Sequence, residues 1–137
     1  MVHRLPVLML MLLTALLPLA AVAAPLRFQC DSYLEHGGEH TRRLMTMDLD
    51  RGTVVDGAMQ FQDGAAVLMH GSPLRLASPS ISFVRRDGPR VEWGTRDART
   101  AEVINGFSLD LGSGAYMFSA PGQTFARGRC RPLPDSI

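Results

Sequence analysis

The sequence contains no lysine and only two cysteines, and arginine supplies all 14 of its basic residues. These oppose 13 acidic residues, so the formal net charge is only +1. No overall field therefore favours nucleic acid or an anionic membrane as a partner. The arginines are spread along the whole chain. That distribution fits bidentate recognition of carboxylate or phosphate groups, and it equally fits a GC-rich coding sequence.

The chain also lacks the short motifs that mark common catalytic and cofactor sites. No Gly-x-Ser-x-Gly nucleophile elbow occurs, and the glycine-rich residues 112–114 neither follow a phosphate-loop pattern nor open a helix. Asp48, Asp50 and Asp56 do not have the spacing of a calcium loop, since Gly52 stands at its fifth position. We therefore predict no catalytic residues and no cofactor. A hydrolase without a recognisable motif is an alternative.

Residues 1–23 have the features of a secretory signal peptide. His3 and Arg4 form a basic start, residues 5–19 are an apolar run, and small residues lead up to Ala23. Cleavage is predicted after Ala23. The apolar run is too short for a stable membrane span, and no cysteine offers a lipid anchor at the cleavage site. The mature protein is therefore expected in the periplasm or outside the cell, with no membrane anchor.

Residues 24–137 contain no heptad or sustained helical periodicity, and no linker divides them. Short apolar segments recur at roughly ten-residue spacing between Gly, Pro, Asp and Asn, a pattern typical of an antiparallel sandwich or barrel. We predict a single all-β domain, a small antiparallel β-barrel or sandwich of about eight strands. Two prolines make residues 131–137 a loose C-terminal tail.

The two cysteines, Cys30 and Cys130, lie near opposite ends of the mature chain. In an exported chain two thiols usually oxidise, so we predict a disulfide between the first strand and the last. Closing a loop of about one hundred residues contributes roughly 4–5 kcal/mol in the chain-entropy model. Two buried free thiols are the alternative.

The stretch from Asn105 to Cys130 is predicted to hold two strands joined by a Gly-Ser-Gly turn, then the closing strand. Gly52 and Gly114 occupy matching positions in two similar segments, where a three-residue hairpin loop needs a left-handed residue. The similarity fits either duplication or chance recurrence of one turn. Asn105-Gly106 matches a type I′ hairpin turn.

The densest ionisable cluster is the segment 35–40, which includes His36, Glu39 and His40. Its letters match the H-x-x-E-H zinc-protease motif, but that motif needs a helix, and two adjacent glycines cost a helix about 1 kcal/mol each. The segment is therefore expected to be a solvated hairpin loop. Low-affinity zinc or copper binding through these three residues is the alternative.

Arginines and a tryptophan cluster between residues 85 and 99. Arginine and aromatic residues dominate the energetics of binding surfaces, so Arg85, Arg86, Trp93 and Arg96 are the candidate binding surface. The alternative is an exposed hairpin with Trp93 in the core, because tryptophan is usually buried.

Three segments resemble periplasmic inhibitors of C-type lysozyme: Phe28-Gln29-Cys30-Asp31, the stretch from Trp93 to Val103, and the final cysteine. The resemblance implies a small antiparallel barrel whose first and last strands are disulfide-bonded. The family's Ser-Gly-x-x-Tyr loop, which enters the lysozyme active site, has no counterpart, since residues 71–75 match it poorly. No inhibitory residue is carried over.

The expected function is a soluble exported binding or inhibitory module without catalysis. Its partner would be a protein or a small ligand in the periplasm, not nucleic acid. A low-affinity metal-binding protein that uses His36 and His40 is the alternative from a different class.

Overall fold

The computed structural model describes residues 24–75 and 79–134, and every regular element in these residues is a β-strand. The signal peptide expected at residues 1–23 lies outside them. The strands in chain order are β1 (Leu26–Leu34), β2 (His40–Asp48), β3 (Thr53–Asp56), β4 (Met59–Gln62), β5 (Leu68–Met69), β6 (Ser72–Pro73), β7 (Ser80–Asp87), β8 (Arg90–Asp97), β9 (Val103–Asp110), β10 (Ala115–Ala120) and β11 (Gln123–Pro132).

All eleven strands belong to one antiparallel sheet, in the order β6-β5-β4-β3-β2-β1-β11-β10-β9-β8-β7. Every neighbouring pair except β1 and β11 is consecutive in the chain. Two runs of hairpins are therefore joined where the first long strand pairs with the last. Cys30 lies directly opposite Cys130 at that junction, and the two form the disulfide. The predicted all-β antiparallel class and the predicted disulfide are confirmed.

The sheet curls into a half-barrel, because the loop after β4 meets β7 near the other edge. The Gly64 amide donates to the carbonyl of Ser82 at 2.9 Å, and the Ser82 amide donates to the carbonyl of Ala65 at 2.7 Å. The backbone of Val84 also donates to Oδ1 of Asp63 at 3.0 Å. These bonds use part of the free edge of β7, and an occupied edge is less available for pairing with another chain.

The count of about eight strands was too low, mainly because of one small hairpin. Strands β5 and β6 have two residues each and are joined by His70 and Gly71. Both joining residues have positive φ, 51° and 80°, as a type I′ turn requires. A residue other than glycine is uncommon in that conformation, although histidine is among the less rare ones, so His70-Gly71 is a weaker hairpin signal than Asn-Gly or Asp-Gly.

The hairpin turn predicted at Asn105-Gly106 is wrong. Both residues lie inside β9, where they pair with Thr95 and Gly94 of β8. The hydroxyl of Thr95 donates to Oδ1 of Asn105 at 2.8 Å. Pairing of β9 with β8 on one side and β10 on the other leaves no place for a reversal here.

The two turns predicted to need a left-handed glycine have the expected backbone conformation. Gly52 and Gly114 have φ values of 65° and 78°, which confirms a left-handed residue at both positions.

The closing strand β11 extends to Pro132, and the amide of Leu133 donates to the carbonyl of Arg27 at 2.8 Å. Strand pairing therefore continues to Pro132, within the first residues of the segment predicted to be a loose tail.

The core lies on the concave side of the sheet, and aromatic rings form its centre. Phe107 stacks on Trp93, with ring centroids 5.6 Å apart, and on Phe118, with centroids 4.5 Å apart. Phe61 from β4 meets Phe107 edge-on at 5.7 Å. These contacts join β4 to β8, β9 and β10 across the half-barrel, so they hold its curvature.

Candidate binding surface on the outer face

Phe83 is the centre of the convex surface formed by β7, β8 and β9. Trp93 and Phe107 point into the core, so their neighbours Gly94 and Gly106 lie on the outer face. Phe83 pairs with Gly94, and a Cβ built on Gly106 would be 3.8 Å from its Cζ. The Phe83 ring thus lies over a strip of sheet that has no side chains.

Two guanidinium groups cover this ring. The Cζ atom of Arg85 is 5.5 Å from the Phe83 ring centroid, and that of Arg96 is 5.4 Å away. Both distances are within the range of a cation–π interaction. Phe83 is consequently only 4% exposed although it faces outward.

Glu92 holds the arginines of the hairpin in place. Its Oε2 atom accepts from Nε of Arg85 at 2.6 Å, and its Oε1 atom is 3.1 Å from Nε of Arg90. Exposed ion pairs contribute little to stability. Their effect here is to orient two guanidinium groups on one side of the sheet.

A groove crosses the outer face from β7 to β11. It consists of two adjoining cavities of about 350 and 150 Å³, which share Arg90, Ser108 and Met117 as lining residues. The larger cavity reaches Arg127 on β11, and its lining also includes the acidic Asp110 on β9. Small residues form much of its floor, while long arginine and methionine side chains form its walls. We call this feature, lined by Arg90, Ser108, Met117 and Arg127, the outer groove.

The structure brings together only part of the predicted binding surface. Arg85 and Arg96 meet at Phe83, as described above. Arg86 is exposed but is directed to the hairpin turn, where its Nε donates to the carbonyl of Gly88 at 2.9 Å. Trp93 has no exposed surface, so it lies in the core and contributes nothing to the outer face directly.

Three residues that shape this surface were missed in the sequence: Phe83, Glu92 and Met117. Strand alternation was a usable signal for Phe83, because residues 83 and 85 must share a face of β7. Met117 had no such signal. It lies beside Ser108 and Arg127 only through the register of β10 with its two neighbours.

The structure does not bring together the three residues proposed as metal ligands, His36, Glu39 and His40, in a metal-binding cluster. Within the described parts of the chain, no group of three or more His, Cys, Asp and Glu side chains is placed to hold a metal ion. His36 and Glu39 lie in the exposed loop between β1 and β2, where a hairpin loop was predicted. His40 begins β2, and its Nε2 is 3.0 Å from Oδ1 of Asp31.

Asp31 also accepts from Nε of Arg42 at 2.9 Å. The guanidinium of Arg42, and to a smaller extent His40, hold the pKa of Asp31 below its ordinary value. The carboxylate therefore stays ionised, and it fixes both neighbouring side chains on the outer face of β2.

The most unusual polar group of the interior is Asp56 on β3. Its side chain has no exposed surface, and its Oδ2 is 3.3 Å from Nη1 of Arg43. Its Oδ1 atom is buried without a hydrogen-bond partner. Burial raises the pKa of Asp56, although Arg43 opposes this effect. Burial, assisted by the charge of Asp56, also raises the pKa of Tyr116.

In the portion that the structure describes, no helix could cross a membrane. No protein-family model matches the chain, and no curated protein is similar to it in sequence. Its function must therefore be argued from its own residues.

Proposed function

We propose that this chain is an exported, non-catalytic binding module that holds a partner on the convex face of its sheet. The observation that carries the proposal is the convergence of Arg85, Arg90 and Arg127 with Phe83 and Met117 around the outer groove, with Arg96 over the Phe83 ring. Arginine, aromatic residues and methionine are enriched at protein interfaces.

The rigid support of this surface favours the same function. The groove lies on strands β7 to β11, and the side chains beneath it are packed in the aromatic core. Side chains with fixed orientations lose less conformational entropy when a partner binds. Export is supported by the predicted signal peptide together with the disulfide, which persists in oxidising compartments.

A photoreactive amino acid placed in the groove tests the proposal. Substituted for Ser108, it should give a discrete covalent adduct with a partner protein in the cell envelope of the producing organism. The matched control is the same amino acid at Gln62, an exposed position on β4 away from the groove. The absence of a discrete adduct from Ser108, or equal adducts from both positions, would argue against this binding surface.

The resemblance to lysozyme inhibitors supports a narrower version. If a C-type lysozyme is the partner, the mature protein at micromolar concentration should slow lysis of a cell-wall suspension. Arg85→Ala combined with Arg90→Ala should relieve that inhibition, whereas Arg99→Ala, a loop substitution, should not. Unchanged lysis would remove lysozyme as the partner.

A further inference from the structure

The closing strand β11 presents a row of arginines beside the outer groove. Arg127, Arg129 and Arg131 are exposed, and they alternate with residues that face the interior. Residues two apart on a strand lie about 6.6–6.8 Å apart. An extended peptide has the same spacing, so its alternate side chains could meet successive arginines of this row.

Positive charge is concentrated on this part of the protein. Residues 24–137 carry 13 arginines and 13 acidic residues. The outward positions of β11, β1 and β2 hold five of these arginines but only two aspartates. The arginines are Arg27, Arg42, Arg127, Arg129 and Arg131, and the aspartates are Asp31 and Asp48. Glu35, which follows β1, adds a third carboxylate beside Arg127, so this basic face has an excess of two arginines over acidic residues.

Polar partners on β1 and in the loop that follows it orient Arg131 and Arg127. Nη2 of Arg131 donates to Oε1 of Gln29, a neutral group, at 2.6 Å. Nε of Arg127 is 2.8 Å from Oε1 of Glu35, and this arginine remains 68% exposed. Arg129 lies opposite Asp31 in the strand register, and the Asp31 carboxylate pairs with His40 and Arg42. Guanidinium groups held in this way are suited to bidentate contact with carboxylates.

Apolar side chains are exposed within the same face. Tyr33 is 57% exposed and lies directly opposite Arg127, and Leu44 on β2 is 59% exposed. Tyrosine and arginine are both enriched among the residues that contribute most of the binding energy at protein interfaces. A surface that only attracted polyanions would need the arginines and not these side chains.

We propose that the protein binds an acidic, extended segment of a partner protein across β11, with carboxylates on Arg127 and Arg129 and an apolar side chain in the outer groove. This inference rests on the proposed binding function and names its partner class. Arg127 belongs to both the groove and the basic row, so one segment can use both. Because the whole chain is almost neutral, attraction of an acidic segment depends on the positive charge of this face.

The probe is a synthetic peptide of alternating aspartate and leucine, with a serine-leucine peptide as its neutral counterpart. The disulfide-bonded mature protein should bind the first peptide and not the second. The double substitution Arg127→Ser and Arg129→Ser should weaken binding by about tenfold or more, because contacts to charged groups are lost. Arg86→Ser with Arg99→Ser removes the same charge elsewhere and should leave the affinity within about twofold, as for exposed charges away from the contact.

A second substitution tests the groove separately from the charge. Ser108→Leu fills the groove, so it should weaken binding of the aspartate-leucine peptide and leave binding of inorganic polyphosphate unchanged. Equal binding of peptide and polyphosphate with the same salt dependence would overturn the proposal, since recognition would then be general electrostatic attraction. Equal losses in the two arginine pairs would overturn it as well.

These outcomes are distinct from failure of the proposed function. If crosslinking at Ser108 captures a partner but the acidic peptide does not bind, the binding function stands and the partner class is wrong. If Ser108 yields no discrete adduct, the binding function fails, whatever the peptide does.

Discussion

The carboxylate of Asp56 is fully buried, and its Oδ2 atom lies 3.3 Å from Nη1 of Arg43, whose side chain is 40% exposed. Asp56 faces Met45 on one neighbouring strand and Met59 on the other. An ionised group between two thioether side chains loses most of its hydration. The single guanidinium compensates only one of its two oxygens.

The pH dependence of stability should reveal this carboxyl group. Its folded pKa is raised above 3.8 by burial, so the folded state retains a proton that the unfolded state has lost. The stability contributed by this group is fully present below the unfolded pKa and is lost as the pH rises through the folded pKa. The total loss in the free energy of unfolding is about 1.4 kcal/mol for each unit by which the two pKa values differ. In denaturant titrations, Asp56→Asn should therefore gain stability relative to the parent as the pH rises above 3.8. A difference that does not change with pH would contradict the prediction.

The disulfide should contribute a large part of the stability. Cys30 and Cys130 are 100 residues apart in sequence, and a loop of that size corresponds to about 4–5 kcal/mol in the chain-entropy model. Replacing both cysteines with alanine should lower the free energy of unfolding by about that amount. Chemical denaturation of the oxidised, reduced and double-alanine proteins measures it. Equal midpoints for all three would refute the prediction.

Two strand glycines should respond differently to the same substitution. A Cβ on Gly128 would lie 2.6 Å from Cα of Ser32 and would collide with the carbonyl oxygen of Asp31. Gly128→Ala should therefore destabilise by about 2 kcal/mol or more, since backbone must move. For Gly106→Ala the nearest atom is 3.8 Å away, so its effect should stay within about 1 kcal/mol. Thermal unfolding of both variants compares them directly.

Trp93 should report a buried environment. It is the only tryptophan, it has no exposed surface, and it stacks on Phe107. Its fluorescence should be blue-shifted and resistant to iodide quenching in the folded protein. Binding of a partner on the convex face should leave the emission maximum unchanged. Strong iodide quenching of the native protein would place this residue on the surface instead.

Much of the fold could be predicted because it depends on local chemistry. The strand at Phe28 and Cys30 shows period-two alternation, and the turn glycines at Gly52 and Gly114 sit where a positive φ is needed. The hairpin turn at Asn105-Gly106 was predicted wrongly because a two-residue pattern does not reveal whether the segment around it pairs with a strand on each side. The β5–β6 hairpin was missed because His70-Gly71 is a weaker type I′ turn signal than Asn-Gly.

The candidate site could be predicted only in part. Arg85 and Arg96 were selected for their residue type, and both lie on the outer face. Trp93 was selected by proximity in sequence, yet its strand alternation turns it inward. Phe83 is outward-facing and still buried because Gly94 and Gly106 leave room for its ring, which depends on the register of three strands.

The sequence by itself determined the all-β class, the left-handed turn positions Gly52 and Gly114, and the disulfide partners. Short apolar segments between turn residues, glycine at the two turn positions and the presence of only two cysteines were sufficient for those conclusions. Only the tertiary structure decided that Arg127 lies opposite Tyr33, although the two are far apart in sequence. Backbone hydrogen bonds pair any two strands, so register is set by packing of the buried face. The outer groove and the basic face are consequences of that register.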